Sequence, residues 1–196
     1  MNVIFDLGGV VLNWEPKKLL MDFFPDKILR DKIETELLKH KDWAELDRGT
    51  LNYKNAIERA SVRIDISKAE IGRFLNEILE RLTLKQDTME LINELKRGKH
   101  KLYILSNLPY ETAEYLEKRY SFWDMFDGIV FSGRVNLIKP APEIYQYILK
   151  KFNLVPKETV FLDDLKDNVD AAVIEGINGI QFTSAAQAKT ELEKLI

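Results

Sequence analysis

The chain has 196 residues, 45% hydrophobic and 31% charged, with a net charge of −3. This is the composition of an ordinary globular chain with one substantial core, and its charge gives no general attraction to nucleic acid. There is no cysteine and there are two histidines, His40 and His100, which excludes disulfides, thiolate zinc sites and a cysteine nucleophile and nearly excludes a multi-histidine metal centre.

The chain opens with Val3-Ile4-Phe5, a short apolar run that ends at Asp6 and is broken by Leu7-Gly8-Gly9. That pattern fits a buried parallel strand running into a tight loop. The apolar stretch from Val3 to Leu12 is interrupted by Asp6 and lacks a basic leader, so it makes a poor signal peptide and no membrane span. A cytoplasmic protein is expected.

Residues 15–85 show no strand pattern. Helical spacing runs through 28–40, 52–62 and 68–82, with Asp26, Asn52 and Ser67 placed as N-caps. Pro16, Pro25 and Gly49 mark breaks. Trp43, Asp47 and Arg48 lie beside the Gly49 break and could face an active site. One core aromatic and a solvated charged turn is an equally open reading.

Beyond residue 85, helices and strands alternate. Met89, Ile92 and Leu95 share a helical face within 88–96, and Leu102 to Leu105 is a strand ending at Ser106-Asn107. A helix is expected over 109–120, then a strand at Ile129-Val130-Phe131 before Ser132-Gly133. Pro142 opens a helix to Phe152, and Val160-Phe161-Leu162 is a strand ending at Asp163-Asp164. A short helix over 168–174 and a weaker strand at Ile180-Gln181-Phe182 follow. This alternation predicts an α/β fold, a doubly wound parallel sheet covered on both faces. Its core spans 1–14 and 86–196, with a small all-helical insert, 15–85, placed after the first strand.

In such sheets ligands bind beyond the carboxyl ends of the strands. Here those ends carry Asp6, Ser106, Asn107, Asp163 and Asp164. Carboxylates that converge repel one another unless a cation intervenes, and Mg²⁺ suits a few carboxylates plus phosphate and water. Asp163-Asp164 as a simple helix cap is the competing reading. Lys139 could neutralise both a phosphate and an acidic nucleophile, although most single lysines are solvated. Ser106 and Asn107 could donate hydrogen bonds to phosphoryl oxygens, or merely form a turn. Gly8 and Gly9 could let backbone N–H groups approach a phosphate.

Taken in order, these clusters resemble the four motifs of the haloacid dehalogenase superfamily. Val3-Ile-Phe-Asp-Leu-Gly-Gly-Val-Val-Leu12 resembles the first and Tyr103-Ile-Leu-Ser-Asn107 the second. Lys139-Pro140 before a helix resembles the third, and Phe161-Leu-Asp-Asp-Leu-Lys-Asp-Asn168 the fourth. The insert falls where that superfamily places its first type of cap. The resemblance implies a Rossmann-like core and a phosphatase with Asp6 as nucleophile and Lys139 as its catalytic partner. It further implies Ser106, Asn107 and Lys139 as substrate ligands, and Mg²⁺ held by Asp6, the Gly8 carbonyl, Asp164 and Asp163. The partner expected is a phosphorylated small molecule, with neither nucleic acid nor membrane involved.

Two positions depart from the pattern. Many of these phosphatases carry a general acid/base aspartate two residues after the nucleophile, where this chain has Gly8. The sequence is most similar to a bacterial subgroup that shares the glycine and includes phosphatases acting on glucose-1-phosphate, so sugar phosphates are the expected substrates. Asn136 stands where glycine is common, and asparagine tolerates the left-handed conformation. A dehalogenase attacking carbon and a catalytically weak phosphate-binding protein are the alternatives. The paired acids count against the former and retention of Asp6, Ser106, Lys139 and Asp164 against the latter.

Overall fold

The structure, a computed structural model, describes residues 1–195. Its frame is a five-stranded, wholly parallel sheet in the order β3-β2-β1-β4-β5. The strands are β1 (Asn2–Phe5), β2 (Lys101–Ser106), β3 (Gly128–Phe131), β4 (Thr159–Asp163) and β5 (Asn178–Gln181). β1 is central, pairing Phe5 with Ile104 on one side and with Leu162 on the other. Its residues Val3, Ile4 and Phe5 are fully buried, as an apolar run between two covered faces requires. This register brings the residues that follow Phe5 and Leu162, and Ser106 itself, to one edge of the sheet. The expected fifth strand over 180–182 is instead Asn178–Gln181, because Asn178 and Gly179 complete the β4 ladder.

Helices cover the two faces: α6 (Gln86–Arg97), α7 (Tyr110–Arg119) and α11 (Ala185–Leu192) on one, α9 (Pro142–Phe152) and α10 (Lys166–Ile174) on the other, with a single-turn α8 (Ser132–Val135) directly after β3. α9 spans the predicted residues. α11 has no counterpart in the sequence pattern, since its alanines and polar residues leave a weak apolar stripe, yet Ser184 caps it by accepting from Gln187 N.

The insert is all-helical and has its own core. Its helices are α1 (Pro16–Phe23), α2 (Lys27–Ile33), α3 (Lys41–Arg48), α4 (Tyr53–Ile64) and α5 (Lys68–Arg81). Leu19, Phe24, Ile33, Leu37, Ile64, Ile71 and Phe74 meet in its centre. Asp26, Asn52 and Ser67 accept from Leu29 N, Asn55 N and Glu70 N, as their cap positions predict. Two expectations change. Pro16 starts α1 rather than breaking the chain, since a first-turn proline lacks an N–H that the helix would leave unpaired anyway. The helix expected over 28–40 is α-helical to Ile33 and continues to Leu38 as a wider π-turn, Glu34–Leu38, where Lys39 N donates to Glu34 O at 2.9 Å. His40 then caps α3 through its ring Nδ1, which accepts from Asp42 N.

Both stems of the cap are tied to the loop after β1. Asn13 N donates to Thr83 O (2.8 Å) and Lys85 N to Val11 O (2.9 Å). Among the described residues no helix is long and apolar enough to cross a membrane.

Candidate active site

The loop that follows β1 is folded on itself. Val10 N, Val11 N and Leu12 N all donate to Leu7 O, and Gly9 N donates to Leu12 O. Lys85 and Thr88, arriving with α6, donate to Gly9 O (2.9 Å) and Val10 O (2.8 Å). The turn needs a left-handed residue at Gly9, with φ 74°. A Cβ there would lie 2.4 Å from Asp164 Oδ2, so the bare backbone also makes room for that carboxylate. Gly8 is different: a Cβ on it would meet nothing nearer than Trp14, at 3.8 Å.

Asp6 emerges from β1 into this setting, 7% exposed. Lys139 is 3% exposed, and its Nζ lies 2.8 Å from Asp6 Oδ1 and 2.6 Å from Asp163 Oδ2. The bond to Asp163 is aligned, whereas Asp6 Oδ1 pairs with the charge but keeps no hydrogen bond. Burial pushes the Asp6 carboxyl up to about 6, opposed by the Lys139 charge and reinforced by Asp163. Burial pulls Lys139 down, but the two carboxylates outweigh it and the ammonium is held charged.

Asp163 is fully buried and has its oxygens in use. Oδ1 accepts from Leu165 N (2.8 Å) and Asn168 Nδ2 (3.1 Å), Oδ2 from Lys139 and from Asn168 Nδ2 (3.0 Å). Asp163 thus caps the turn into α10, as one sequence reading allowed, and anchors the lysine as well. Asp164 is half-buried and is raised by burial and by Asp163. Asn107 clamps the backbone of Lys139: its Nδ2 donates to Lys139 O (2.9 Å) and its Oδ1 accepts from Lys139 N (2.8 Å). Ser106, 2% exposed, lines the cavity beside Asp6.

The donor set suits a hard divalent cation. Asp6, Asp163 and Asp164 offer carboxylate oxygens within 4.8 Å of one another against one buried lysine, and Asp6 Oδ1 is buried without a hydrogen bond. Asp163 is the least free of the three to take a metal.

These residues open into a cavity of about 310 Å³ between sheet edge and cap. Asp6, Gly8, Ser106, Lys139 and Asp164 form its floor, and Trp14, Trp43, Asp47, Tyr53 and Ile78 of the cap and its stem form the roof. Trp14 and Trp43 stack at 6.4 Å. Of the cap residues near Gly49, Trp43 and Asp47 do face the site, whereas Arg48 is exposed and lies outside the cavity lining, as the solvated-turn reading has it. Their signal was only the break at Gly49, which has φ 77°. Asn168 is the residue that sequence reasoning passed over. It stood inside the fourth motif without a role, and its pairing with Asp163 needs the turn into α10 to be known.

A haloacid dehalogenase-like hydrolase model matches residues 1–173. The chain belongs to the haloacid dehalogenase-like hydrolases. The chain is similar to a sesquiterpene phosphatase of Aspergillus oryzae, 28% identical over 98% of this chain and 95% of that protein. It is also similar to a D-ribitol-5-phosphate phosphatase of Bacteroides thetaiotaomicron, 24% identical over 100% and 98% of the two chains. A crystal structure of an enzyme of this family from the same bacterium superposes with a TM-score of 0.76, at 24% identity over 93% of each chain. A mutant of that enzyme has been crystallised with magnesium and inorganic phosphate, with a TM-score of 0.75 to this chain. The relatives support a phosphatase hydrolase.

Proposed function

We propose that this hydrolase is a Mg²⁺-dependent phosphatase that cleaves small phosphomonoesters through an aspartyl phosphate on Asp6. The observation that carries the reading is Asp6 itself. It is a buried carboxylate at the end of the central strand, facing an open cavity, with an oxygen that has a charge partner and no hydrogen bond. Oδ1 is sealed against Lys139, so the other oxygen, Oδ2, is the one open to the cavity and available as a nucleophile.

Asp6 attacks phosphorus, and the ester oxygen leaves. Water then hydrolyses the acyl phosphate and restores Asp6. Lys139 stays charged throughout and stabilises negative charge on the phosphoryl oxygens. Asp163, Asn168 and Asn107 hold Lys139 in place, and Ser106 donates its hydroxyl to a phosphoryl oxygen. Mg²⁺ would be held by Asp6, the Gly8 carbonyl and Asp164, with Asp163 second to Asp164. Its chemistry there is charge neutralisation between the acids and the phosphate. Residues 15–85 act as a cap domain that closes over the core of 1–14 and 86–196.

Sugar phosphates remain the first substrate class, in keeping with the relative that acts on D-ribitol-5-phosphate and with the glycine at position 8. A second reading is a phosphate ester of an apolar alcohol. Leu12, Trp14, Trp43, Ile78, Leu82 and Leu108 give the cavity a largely apolar wall, and one relative is a sesquiterpene phosphatase. Dehalogenation is disfavoured, because three gathered carboxylates have no use in a metal-free attack on carbon.

The test is phosphate release from sugar, aryl and prenyl phosphates, in Mg²⁺ and in EDTA. The reading expects turnover that disappears in EDTA and returns with Mg²⁺. Full turnover in EDTA, or none in Mg²⁺ with any ester, would overturn it.

A further inference from the structure

The first loop supplies no proton-transfer group, since position 8 is glycine although the space beside it would accept a side chain. The leaving oxygen of an ester must still take up a proton, and the attacking water must lose one. A residue of this chain that serves here comes from elsewhere on the cavity wall.

Asp47 is the acidic residue that the cap places on that wall, across from Asp6, Gly8 and Lys139. Its main chain is fastened to the core at three successive residues. Ser132 Oγ donates to Asp47 O, Asn136 Nδ2 donates to Arg48 O at 3.0 Å, and Gly49 packs so closely that a Cβ would lie 2.2 Å from Gly133 O. The same Ser132 Oγ accepts from Leu108 N, two residues beyond Ser106. Asn136 itself is fixed, in the left-handed region at φ 58° with its amide committed to Arg48. The position of Asp47 is thus set from the sheet edge rather than by the cap alone.

The side chain, in contrast, is uncommitted. Among the described residues, no hydrogen bond or ion pair reaches the Asp47 carboxyl. Nor does it help its helix. It lies in the last turn of α3, where the macrodipole disfavours an acid and favours a base, as at the neighbouring Arg48. Burial pushes the Asp47 carboxyl up to about 7, with Lys139 opposing and Asp6 reinforcing. The groups that face it are Lys139 and Asp6 from the core and Tyr53 from α4, whose hydroxyl is engaged with Thr112 at 2.6 Å. A side chain that stabilises neither the helix nor the interface, yet is held over the reacting groups, is placed for chemistry.

We propose that Asp47 is the proton-transfer residue of this enzyme, supplied by the cap in place of the carboxylate missing at Gly8. The proposal rests on the phosphatase reading above. In the first half-reaction the P–O(ester) bond breaks as the Asp6–phosphorus bond forms, and the Asp47 carboxylic acid gives its proton to the departing oxygen. In the second, the Asp47 carboxylate takes a proton from the water that attacks the aspartyl phosphate. Asp6 leaves as carboxylate, inorganic phosphate departs, and Asp47 is again protonated. The net reaction is ester plus water to alcohol plus phosphate.

The experiment measures kcat/KM for wild type, Asp47→Asn and the double variant Gly8→Asp/Asp47→Asn on a series of phosphomonoesters. Leaving groups run from simple alkyl alcohols to acidic phenols. Asp47→Asn should lose about 10²–10⁴-fold on alkyl esters and less than about tenfold on the most acidic phenols, so the leaving-group dependence steepens. The double variant should regain part of the loss on alkyl esters. Urea midpoint and affinity for vanadate should match wild type in Asp47→Asn, which shows that fold and phosphate site are intact. A uniform loss across the series, or no loss, overturns the assignment of Asp47 and leaves the phosphatase reading standing. Failure of the wild type to hydrolyse any ester overturns both.

Discussion

The junction between cap and core is sharp enough to test with one methyl group. Gly49 ends α3 at φ 77°, where an L-residue costs roughly 1–2 kcal/mol. In Gly49→Ala the new Cβ would also stand 2.2 Å from Gly133 O. Carbon and carbonyl oxygen settle no closer than about 3.3 Å, so the two backbones must part by about 1 Å. No rotamer change relieves this, since both partners are main chain. The parting stretches the bonds from Ser132 to Asp47 O and from Asn136 to Arg48 O, each worth about 1 kcal/mol. The expected loss of stability is about 2–4 kcal/mol. A shift of about 1 Å in a catalytic group can lower the rate by up to about 100-fold. Urea unfolding and kcat/KM on an alkyl phosphate are the assays. Gly8→Ala is the control for stability, because its Cβ falls in ordinary contact with Trp14 at 3.8 Å, and its unfolding free energy should stay within about 1 kcal/mol of wild type. Wild-type stability and turnover in Gly49→Ala would refute the close junction and the placement of Asp47 derived from it.

The two adjacent acids should separate in their effects. Asp164→Ala should weaken Mg²⁺ binding by calorimetry more than Asp163→Ala does. Asp163→Ala should instead cost about 3–5 kcal/mol in urea, because it strips the buried Lys139 of its aligned partner and leaves Leu165 N and Asn168 unpaired. Asp127 gives a pH-dependent test away from the site. Burial alone would raise its carboxyl, but Lys101 (2.8 Å), Leu102 N (3.0 Å) and Lys96 (3.1 Å) hold it down at about 2. A folded-state value below the ordinary 3.8 gives stability that is present above pH 3.8 and lost as pH falls toward 2. Asp127→Asn should therefore cost about 1–2 kcal/mol at pH 6, allowing for its part exposure, and nothing near pH 2. An equal deficit at both pH values would refute the linkage.

Much of this arrangement was legible in the chain. Short apolar runs that end in Asp6, Ser106 and Asp163 and alternate with helical patterns read as parallel strands with polar residues at one edge, so the convergence of those residues was legible from period and punctuation. The caps Asp26, Asn52 and Ser67 were legible because a single side-chain bond at the start of a helix is a local event. What was hidden is long-range. Nothing in the spacing of Asn107 and Lys139 shows that the amide clamps the lysine backbone across 32 residues. Asp163 and Asp164 are adjacent in sequence, yet one is sealed against Lys139 and the other faces the cavity, a distinction made by the turn into α10. The role of Asp47 depends on how α3 docks against Ser132 and Gly133, and that docking is tertiary. The helix expected over 28–40 is present to Leu38, and only its widening after Ile33 was hidden, since the periodicity runs on unbroken through the π-turn.

The central claim is the covalent bond to Asp6, and acid-quenched single turnovers test it most directly. Protein in excess over a labelled phosphomonoester, mixed with Mg²⁺, quenched in acid during the first turnover and digested at low pH, should carry labelled phosphoryl on the peptide containing Asp6. The label should be released by mild base and be absent from Asp6→Asn, which should also lack turnover. Product formed in the first turnover with no label on protein, or with label on a residue other than Asp6, would contradict the account.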